Sequence, residues 1–292
     1  MQTLNMYLRS EYGRKLYKLA LDADFTCPNR DGSVGYGGCS FCSANGSGDF
    51  AANDTDIAQM IEHAKARVSS KFTETEGVPN YIAYFQAFTN TYAPIDKLRV
   101  IYTEAINHPD VAILSIATRP DCVSDEVVSL LKELNTIKPV WVELGLQTIR
   151  DDIADSFNRC YKTEVYDDAV KRLNLAGLKV ITHVILGLPG EEENDMLNTI
   201  KHMISVGSWG IKLQVLHVLK GTKLAEEYEK NPFHILTFDE YLNLISKAND
   251  IIPDDMVVHR LTGDGPKSLL IEPLWTADKK RVLNSINQII CR

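Results

Sequence analysis

With 292 residues the chain has room for one α/β barrel with an added piece or for two domains. Its 45% hydrophobic and 24% charged content lets it bury a large core without disulfide staples, which excludes a disordered or disulfide-scaffolded class. A formal charge of −8 works against indiscriminate attraction to nucleic-acid phosphates, so any RNA ligand needs a local basic patch.

The N-terminal MQTLNMYLRSEYGRK has no apolar run behind a basic head, and no later stretch is apolar for the ~18 residues a membrane helix needs. The expectation is a cytoplasmic protein with no membrane contact. In that compartment six cysteines read as metal ligands, catalytic groups or buried small residues.

Apolar, β-branched runs predict strands at KLALDA, YIAYFQ (81–86), VAILSIAT (111–118), VWVELGLQ (140–147), KVITHVILGL (179–188) and IKLQVLHVL (211–219). Between them, apolar spacing of three to four predicts helices in DTDIAQMIEHAKARVSSKF, PIDKLRVIYTEAIN, SDEVVSLLKELN, YDDAVKRLNLAG and EENDMLNTIKHMISVG. Ser124 with Asp125 and Glu126 opens a helix, and Gly177 and Gly207 stand where left-handed C-caps belong.

Six strand–helix repeats imply a parallel sheet with right-handed crossovers, hence an α/β fold of the partial (β/α)6 TIM-like barrel kind. After about residue 235 the rhythm changes to a helix (FDEYLNLISKANDII), a strand (MVVHRL), a TGDG turn and a last helix (TADKKRVLNSINQII). The expected division is residues 1–235 as the barrel and 236–292 as a C-terminal α/β extension that covers its open edge.

Directly after the first predicted barrel strand, "CPNRDGSVGYGGCSFC" places Cys27, Cys39 and Cys42 in a Cys-x11-Cys-x2-Cys pattern. This is the end at which an α/β barrel exposes its functional face. Structural zinc takes four ligands, whereas His63 is the nearest histidine, in a predicted helix, and Cys122 the next cysteine. Three thiolates suit an iron–sulfur cube that keeps one iron open. Reduced core cysteines are the plain alternative, set against six surrounding glycines that let backbone amides approach a cluster.

These residues resemble the radical S-adenosylmethionine (SAM) superfamily, whose three-cysteine 4Fe-4S cluster binds SAM through its unique iron; Phe41 before Cys42 matches the same motif. "DADFTCPNRDGSVGYGGCSFC", "AYFQAFTNTYAP" and "TGDGPKSLLIEPLW" look like the bacterial YhcC-type members over nearly the whole chain. "TRPD", "VELGLQTIRDDIADSFNR", "AGLKVITHVILGLP" and "GIKLQVLHVLKGTKL" resemble the radical SAM core of the elongator catalytic subunit, which modifies wobble uridine in tRNA.

The resemblance implies that Arg159 pairs with the SAM carboxylate, that Gln147 lies near the ribose, and that His183 and His217 reach toward SAM. Phe85-Gln86-Ala87 replaces the superfamily's Gly-Gly-Glu, leaving Gln86 as an uncharged acceptor for the SAM amine, and Ala117 replaces the glutamate of an elongator-like ETRPD. "LGLPGE" turns a strand into a helix. Tyr84, Tyr92, Arg119, Cys122 and Lys220 are the candidates for holding substrate or quenching a radical, each weighed against ordinary packing or solvation.

The implied chemistry is reductive cleavage of SAM to a 5′-deoxyadenosyl radical, with electrons from a donor such as flavodoxin or ferredoxin. The leading substrate is tRNA uridine, with Lys212, Lys220, Arg260 and Lys267 as possible phosphate contacts. The rival readings are a radical enzyme acting on a small metabolite, a tetrapyrrole or a protein side chain, and a plain iron–sulfur electron carrier.

Overall fold

The computed structural model describes residues 1–46, 48–54, 56–71, 81–263 and 265–290. From the N-terminus, β1 (Gln2–Thr3) runs into α1 (Leu4–Tyr12), and β2 (Tyr17–Asp22) into the cysteine loop, which ends at β3 (Ala52–Asn53). After α2 (Ile57–Val68) come β4 (Tyr81–Phe85), α3 (Ile95–Asn107), β5 (Val111–Thr118), α4 (Asp125–Leu134) and β6 (Val140–Gln147). Then follow α5 (Asp151–Ser156), α6 (Thr163–Leu175), β7 (Lys179–Leu186), α7 (Glu193–Val206) and β8 (Gly210–Val215). The chain closes with β9 (Val218–Leu219), α8 (Lys223–Lys230), α9 (Phe238–Ile251), β10 (Val257–Arg260), β11 (Leu270–Glu272) and α10 (Lys279–Ile290).

Nine parallel strands form one sheet in the order β1-β10-β8-β7-β6-β5-β4-β2-β3. The six strands expected from the sequence are its centre, and because β2 and β8 do not pair, the barrel is partial, as the strand count required. The tail covers the β8 edge by strand pairing: β10 adds parallel to β8, and β1 adds parallel to β10. Residues 55 and 72 of the expected helix over 54–72, and Asp264 of the TGDG turn, lie outside the described residues.

Helix ends follow local chemistry. Ser124 accepts the Val127 N–H at 3.3 Å to open α4, and Gly207 closes α7 at φ +93°. One expected strand differs: IKLQVLHVL is broken at Leu216-His217, because β9 leaves the barrel to pair antiparallel with β11. The N-terminal segment forms α1, with the Thr3 side chain capping Met6 N–H and Gly13 left-handed at the other end.

Alternation along the strands sorts the side chains into two environments. One face, including Leu114, Val142, Val180 and Leu213, joins the helices in the main core. The other face lines the lumen in layers. At its base Leu16, Ile82, Ile113, Trp141, Ile181 and Val257 pack with Tyr7 and Leu8 of α1, which plugs that end, and Trp141 and Trp209 meet at 5.2 Å. Above them lies a polar layer containing Lys18, Tyr84, Ser115, Glu143, His183 and Lys212. Higher still, Gly145, Gln147, Ile185 and Gln214 are half-buried, so the lumen opens at the C-terminal ends of the strands.

Leu8 is 2% exposed in the plug, so Leu8→Ala is expected to lower stability by about 2–5 kcal/mol. A urea midpoint unchanged from wild type would show that α1 is not part of the cooperative unit.

Candidate functional site

The cysteine loop leaves β2 and has almost no regular structure, so its shape rests on turns and on one external clamp. Cys27 and Cys39 each open a tight turn, their carbonyls accepting Arg30 N–H at 2.8 Å and Cys42 N–H at 3.0 Å. A Cβ at Gly35 would lie 2.2 Å from Asn29 Oδ1, so only glycine permits the close approach there. The clamp is the segment after α5. Asn158, left-handed at φ +63°, donates through Nδ2 to Gly38 O at 2.9 Å and Tyr36 O at 3.2 Å, while Ser40 N–H donates to Phe157 O at 3.0 Å. Asn29 donates to Asn158 O and stands 3.8 Å from Cys39 Sγ.

Two cations help bias Cys42 toward the thiolate form that metals bind. Cys42 is lowered first by the hydrogen bond from Cys39, then by Arg30 and Arg119, against the penalty of burial. Cys39, the donor of that bond, is pushed well up by it and by burial. Arg119 is 9% exposed, makes a bidentate pair with Asp121 at 2.9 and 2.7 Å, and lies over the Tyr161 ring at 4.8 Å. Arg30 is held by the Ser43 and Ala44 carbonyls.

The donor type suits iron–sulfur ligation. A tetrahedral ion with metal–sulfur bonds of about 2.3 Å puts its sulfurs about 3.8 Å apart. Among the described residues, the group of three His, Cys, Asp or Glu ligand atoms all within 4.8 Å of one another is Glu62, His108 and Asp110, not the three cysteines; there Lys65 already pairs with both carboxylates. The sulfurs of Cys27, Cys39 and Cys42 do not all lie within that distance of one another, although Cys39 and Cys42 share a hydrogen bond; as thiolates, three of them hold an iron–sulfur cube with one iron left open.

The sequence-nominated residues divide by layer. Gln86 follows β4, Gln147 ends β6 at a bulge with φ +61°, and His217 follows β8, so all three stand at the cysteine-loop end of the sheet. Tyr161 OH donates to Gly145 O at 2.7 Å and contacts Gln147 Oε1 at 3.2 Å. His217 lies under the tail, where a Cβ at Gly263 would come 2.1 Å from its ring. The Phe41 ring packs on Phe157 at 5.2 Å, beside a cavity of about 500 Å³ that Leu188, Leu216 and Leu224 also line. Tyr92 OH bonds Ser33 Oγ at 2.7 Å, fastening the loop, and both Tyr92 and Cys122 line a second cavity of about 780 Å³ beside Pro28. Burial pushes the Cys122 thiol up.

Arg159, Tyr84, His183 and Lys212 are placed differently from the expectation. Arg159 is 1% exposed and spends all five N–H donors internally, on Tyr161 O, Leu146 O, Thr148 O, Asp151 and Thr163, leaving none for a carboxylate ligand. Arg119, together with Arg30, brings positive charge to the cysteines. Tyr84 and His183 sit in the polar layer below the mouth, and Lys220 is exposed. Lys212, expected at a phosphate surface, is buried in the lumen instead, where it pairs with Glu143.

Glu143 is the residue that sequence reasoning passed over. Fully buried, it accepts from Lys18 and Ser115 at 2.7 Å, from His183 Nε2 at 2.7 Å, and from Lys212. Burial alone would raise it, but Lys18, Lys212 and His183 together hold it well below the usual carboxylate range. The available signal was an acidic residue at an inward position of an apolar strand, with lysines at inward positions of β2 and β8.

A partial parallel barrel with a three-thiol loop at its C-terminal mouth defines a radical SAM enzyme. The Radical SAM superfamily model matches residues 27–203, starting at Cys27, and the Radical_SAM C-terminal domain model matches residues 208–291; the chain belongs to this superfamily. Its cofactors are accordingly a 4Fe-4S cluster and SAM, and its turnover needs an electron donor.

The chain is 46% identical over 287 residues to the uncharacterized protein YtqA of Bacillus subtilis, covering 98% of this chain and 88% of that one. It is 35% identical over 280 residues to YhcC of Escherichia coli, covering 94% and 88%. A tRNA uridine(34) acetyltransferase of Methanocaldococcus jannaschii is 28% identical over 172 residues, covering 58% of this chain and 31% of that protein. Among solved structures, the Methanocaldococcus infernus Elp3 superposes with TM-score 0.67 at 17% identity, over 91% of this chain and 63% of that one, which supports the shared fold. No helix among the described residues is long and apolar enough to cross a membrane.

Anaerobic reconstitution is expected to load about four irons per chain, and Cys27→Ser, Cys39→Ser or Cys42→Ser to lose most of that iron, whereas Cys122→Ser and Cys160→Ser retain it. Equal loss from all five variants in iron analysis would contradict the three-thiol assignment. His183 is pushed down to about 4 by burial, with Lys212 assisting. The unfolded chain then binds the proton near its ordinary value of about 6.5 while the folded one does not, so stability falls as pH drops through that window. Relative to His183→Gln, the wild type should lose on the order of 3 kcal/mol between about pH 7 and about pH 4. Parallel urea-midpoint curves for the two proteins would count against a neutral buried His183.

Proposed function

We propose that this radical SAM enzyme modifies the wobble uridine of tRNA. The observation that carries the reading is the 172-residue kinship with a tRNA uridine(34) acetyltransferase, beside the fold shared with Elp3. This chain covers 31% of that protein, so the reading carries over the uridine and not the whole activity.

In this reading Cys27, Cys39 and Cys42 hold the cluster as thiolates, and Arg30 and Arg119 offset their charge. When bound, the cluster and SAM supply a 5′-deoxyadenosyl radical. The chain's own part is to position and shield. Gln147, set by its bulge and by Tyr161, would offer the ribose hydroxyls an amide that both donates and accepts. Phe41 gives a flat apolar face, and Gln86 an acceptor for the SAM amine. The base plug of Tyr7, Leu8 and Trp141 closes the lumen to solvent from below. Flavodoxin or ferredoxin serves as donor, and exposed Lys220 and Lys267 supply phosphate contacts at the tail side.

Mass spectrometry of tRNA nucleosides from a strain lacking the gene is expected to show one wobble-uridine derivative lost and its precursor accumulated. An unaltered wobble profile would overturn the tRNA reading while leaving the radical chemistry standing.

A further inference from the structure

We infer that Arg119, with Asp121 as its counterweight, sets how readily the iron–sulfur cluster accepts its electron. The guanidinium favours the reduced cluster through its charge and its unengaged N–H groups, and the carboxylate limits that effect. The inference goes beyond the wobble-uridine reading and holds for any substrate, since it rests only on the three-thiol cluster.

Position is the first ground. Arg119 follows β5, and the backbone around it is tied to the start of the cysteine loop: Thr89 N–H donates to Thr26 O at 3.1 Å, Asn90 N–H to Ala117 O at 3.2 Å, and Thr91 Oγ1 to Cys122 O at 2.6 Å. Pro28, directly after Cys27, lines the same cavity as Pro120 and Asp121. On its other side Arg119 lies over the Tyr161 ring at 4.8 Å. Tyr161 follows Cys160, whose Sγ stands 3.6 Å from the same Asn158 carbonyl that Cys39 Sγ approaches at 3.7 Å. The guanidinium is thus bracketed by the Cys27 end of the loop and by the clamp that holds Cys39. Its charge acts on Cys39 and Cys42, and the Cys27 charge acts on it in turn.

Availability is the second ground. Arg119 is 9% exposed and gives Nε and one Nη2 proton to Asp121 at 2.9 and 2.7 Å. A guanidinium carries five N–H groups, and no other acceptor among the described residues takes the remainder. The neighbouring Arg159 is the opposite case, with every donor engaged. Buried donors are normally satisfied, so a covered guanidinium with N–H groups left over fits a place where the acceptor arrives with a cofactor. The sulfurs of an iron–sulfur cluster are such acceptors, and hydrogen bonds to them are one of the levers on its reduction potential.

Charge is the third ground. Reduction adds one electron from the donor, with no bond made or broken, so the cluster and its three thiolates gain one unit of negative charge. A cation held beside them in a low-dielectric setting favours that more negative state. The ion pair does not cancel itself at the cysteines: Arg119 is the member whose charge acts on Cys39 and Cys42, and Asp121 is the member that lines the outer cavity. The carboxylate still matters, because a cluster reduced too easily no longer gives its electron to the sulfonium.

The test is a redox titration of the anaerobically reconstituted holoenzyme without SAM, following the reduced-cluster signal by electron paramagnetic resonance. Arg119→Gln should lower the equilibrium constant for one-electron reduction about tenfold, a shift of about 59 mV to lower potential. Arg119→Lys, which keeps the charge and loses the fork, should fall between Arg119→Gln and the wild type, and Asp121→Asn should move the potential the other way. Variants are compared at equal iron content, and if Arg119→Gln loads no cluster, Arg119→Lys and Asp121→Asn still read the two opposite signs. Potentials unmoved in the loaded variants overturn the inference, as do shifts of one sign for both the arginine and the aspartate variants, which is what a merely loosened loop would give. An unchanged potential with weakened SAM binding in Arg119→Gln also overturns it, assigning the guanidinium to the SAM carboxylate instead. No RNA enters the titration, so its outcome is independent of the wobble-uridine reading.

Discussion

Everything at the mouth depends on one constraint: three thiols must keep fixed separations on a loop with no helix or strand to hold them. Residues 28–38 bond largely to one another, and a self-contained loop of that kind drifts unless it is tied to something rigid. The tie is Asn158, whose left-handed backbone turns its amide into the loop, together with Asn29 returning the contact from the other side. Asn158 follows α5, and its neighbour Arg159 binds back to the ends of β6, so the cysteines inherit the rigidity of the sheet through two asparagines and a buried guanidinium. Carboxylate binding by that guanidinium would loosen the clamp it belongs to.

A second constraint works below. An α/β barrel normally fills its lumen with branched apolar side chains, and here only the base layer does so. The layer above is ionic, anchored by Glu143, and it remains in contact with the mouth through Lys18 and His183. The plug and the polar layer thus divide the lumen into a sealed apolar floor and a charged wall, set below the cysteine-loop end of the sheet.

How far this was legible from sequence depends on where the determining force is local. The strand bounds of VAILSIAT and VWVELGLQ coincide with β5 and β6, because β-branched runs flanked by helix caps leave little choice of register. IKLQVLHVL was read as one strand, since nothing local reveals that β9 will be captured by β11, more than fifty residues on. The same holds for α1, whose role as a plug comes from Trp141 and Trp209 rather than from its own modest pattern. The cysteine loop declared itself through ligand type and spacing. Arg159 and Lys212 did not: each stands in a segment with an open functional reading, and only the fold shows that their donors face inward. Glu143 carried a signal, an acid inside an apolar strand, but its meaning appears only when β2 and β8 bring their lysines to it.

The central claim is that Cys27, Cys39 and Cys42 grip an iron–sulfur cube with one corner open to SAM. Electron paramagnetic resonance of the anaerobically reconstituted, dithionite-reduced protein, recorded before and after SAM is added, tests it most directly. The expected result is a reduced-cluster signal whose g-values move when SAM binds. A signal indifferent to SAM, or a protein whose thiols are saturated with zinc and show no cluster signal, would contradict it.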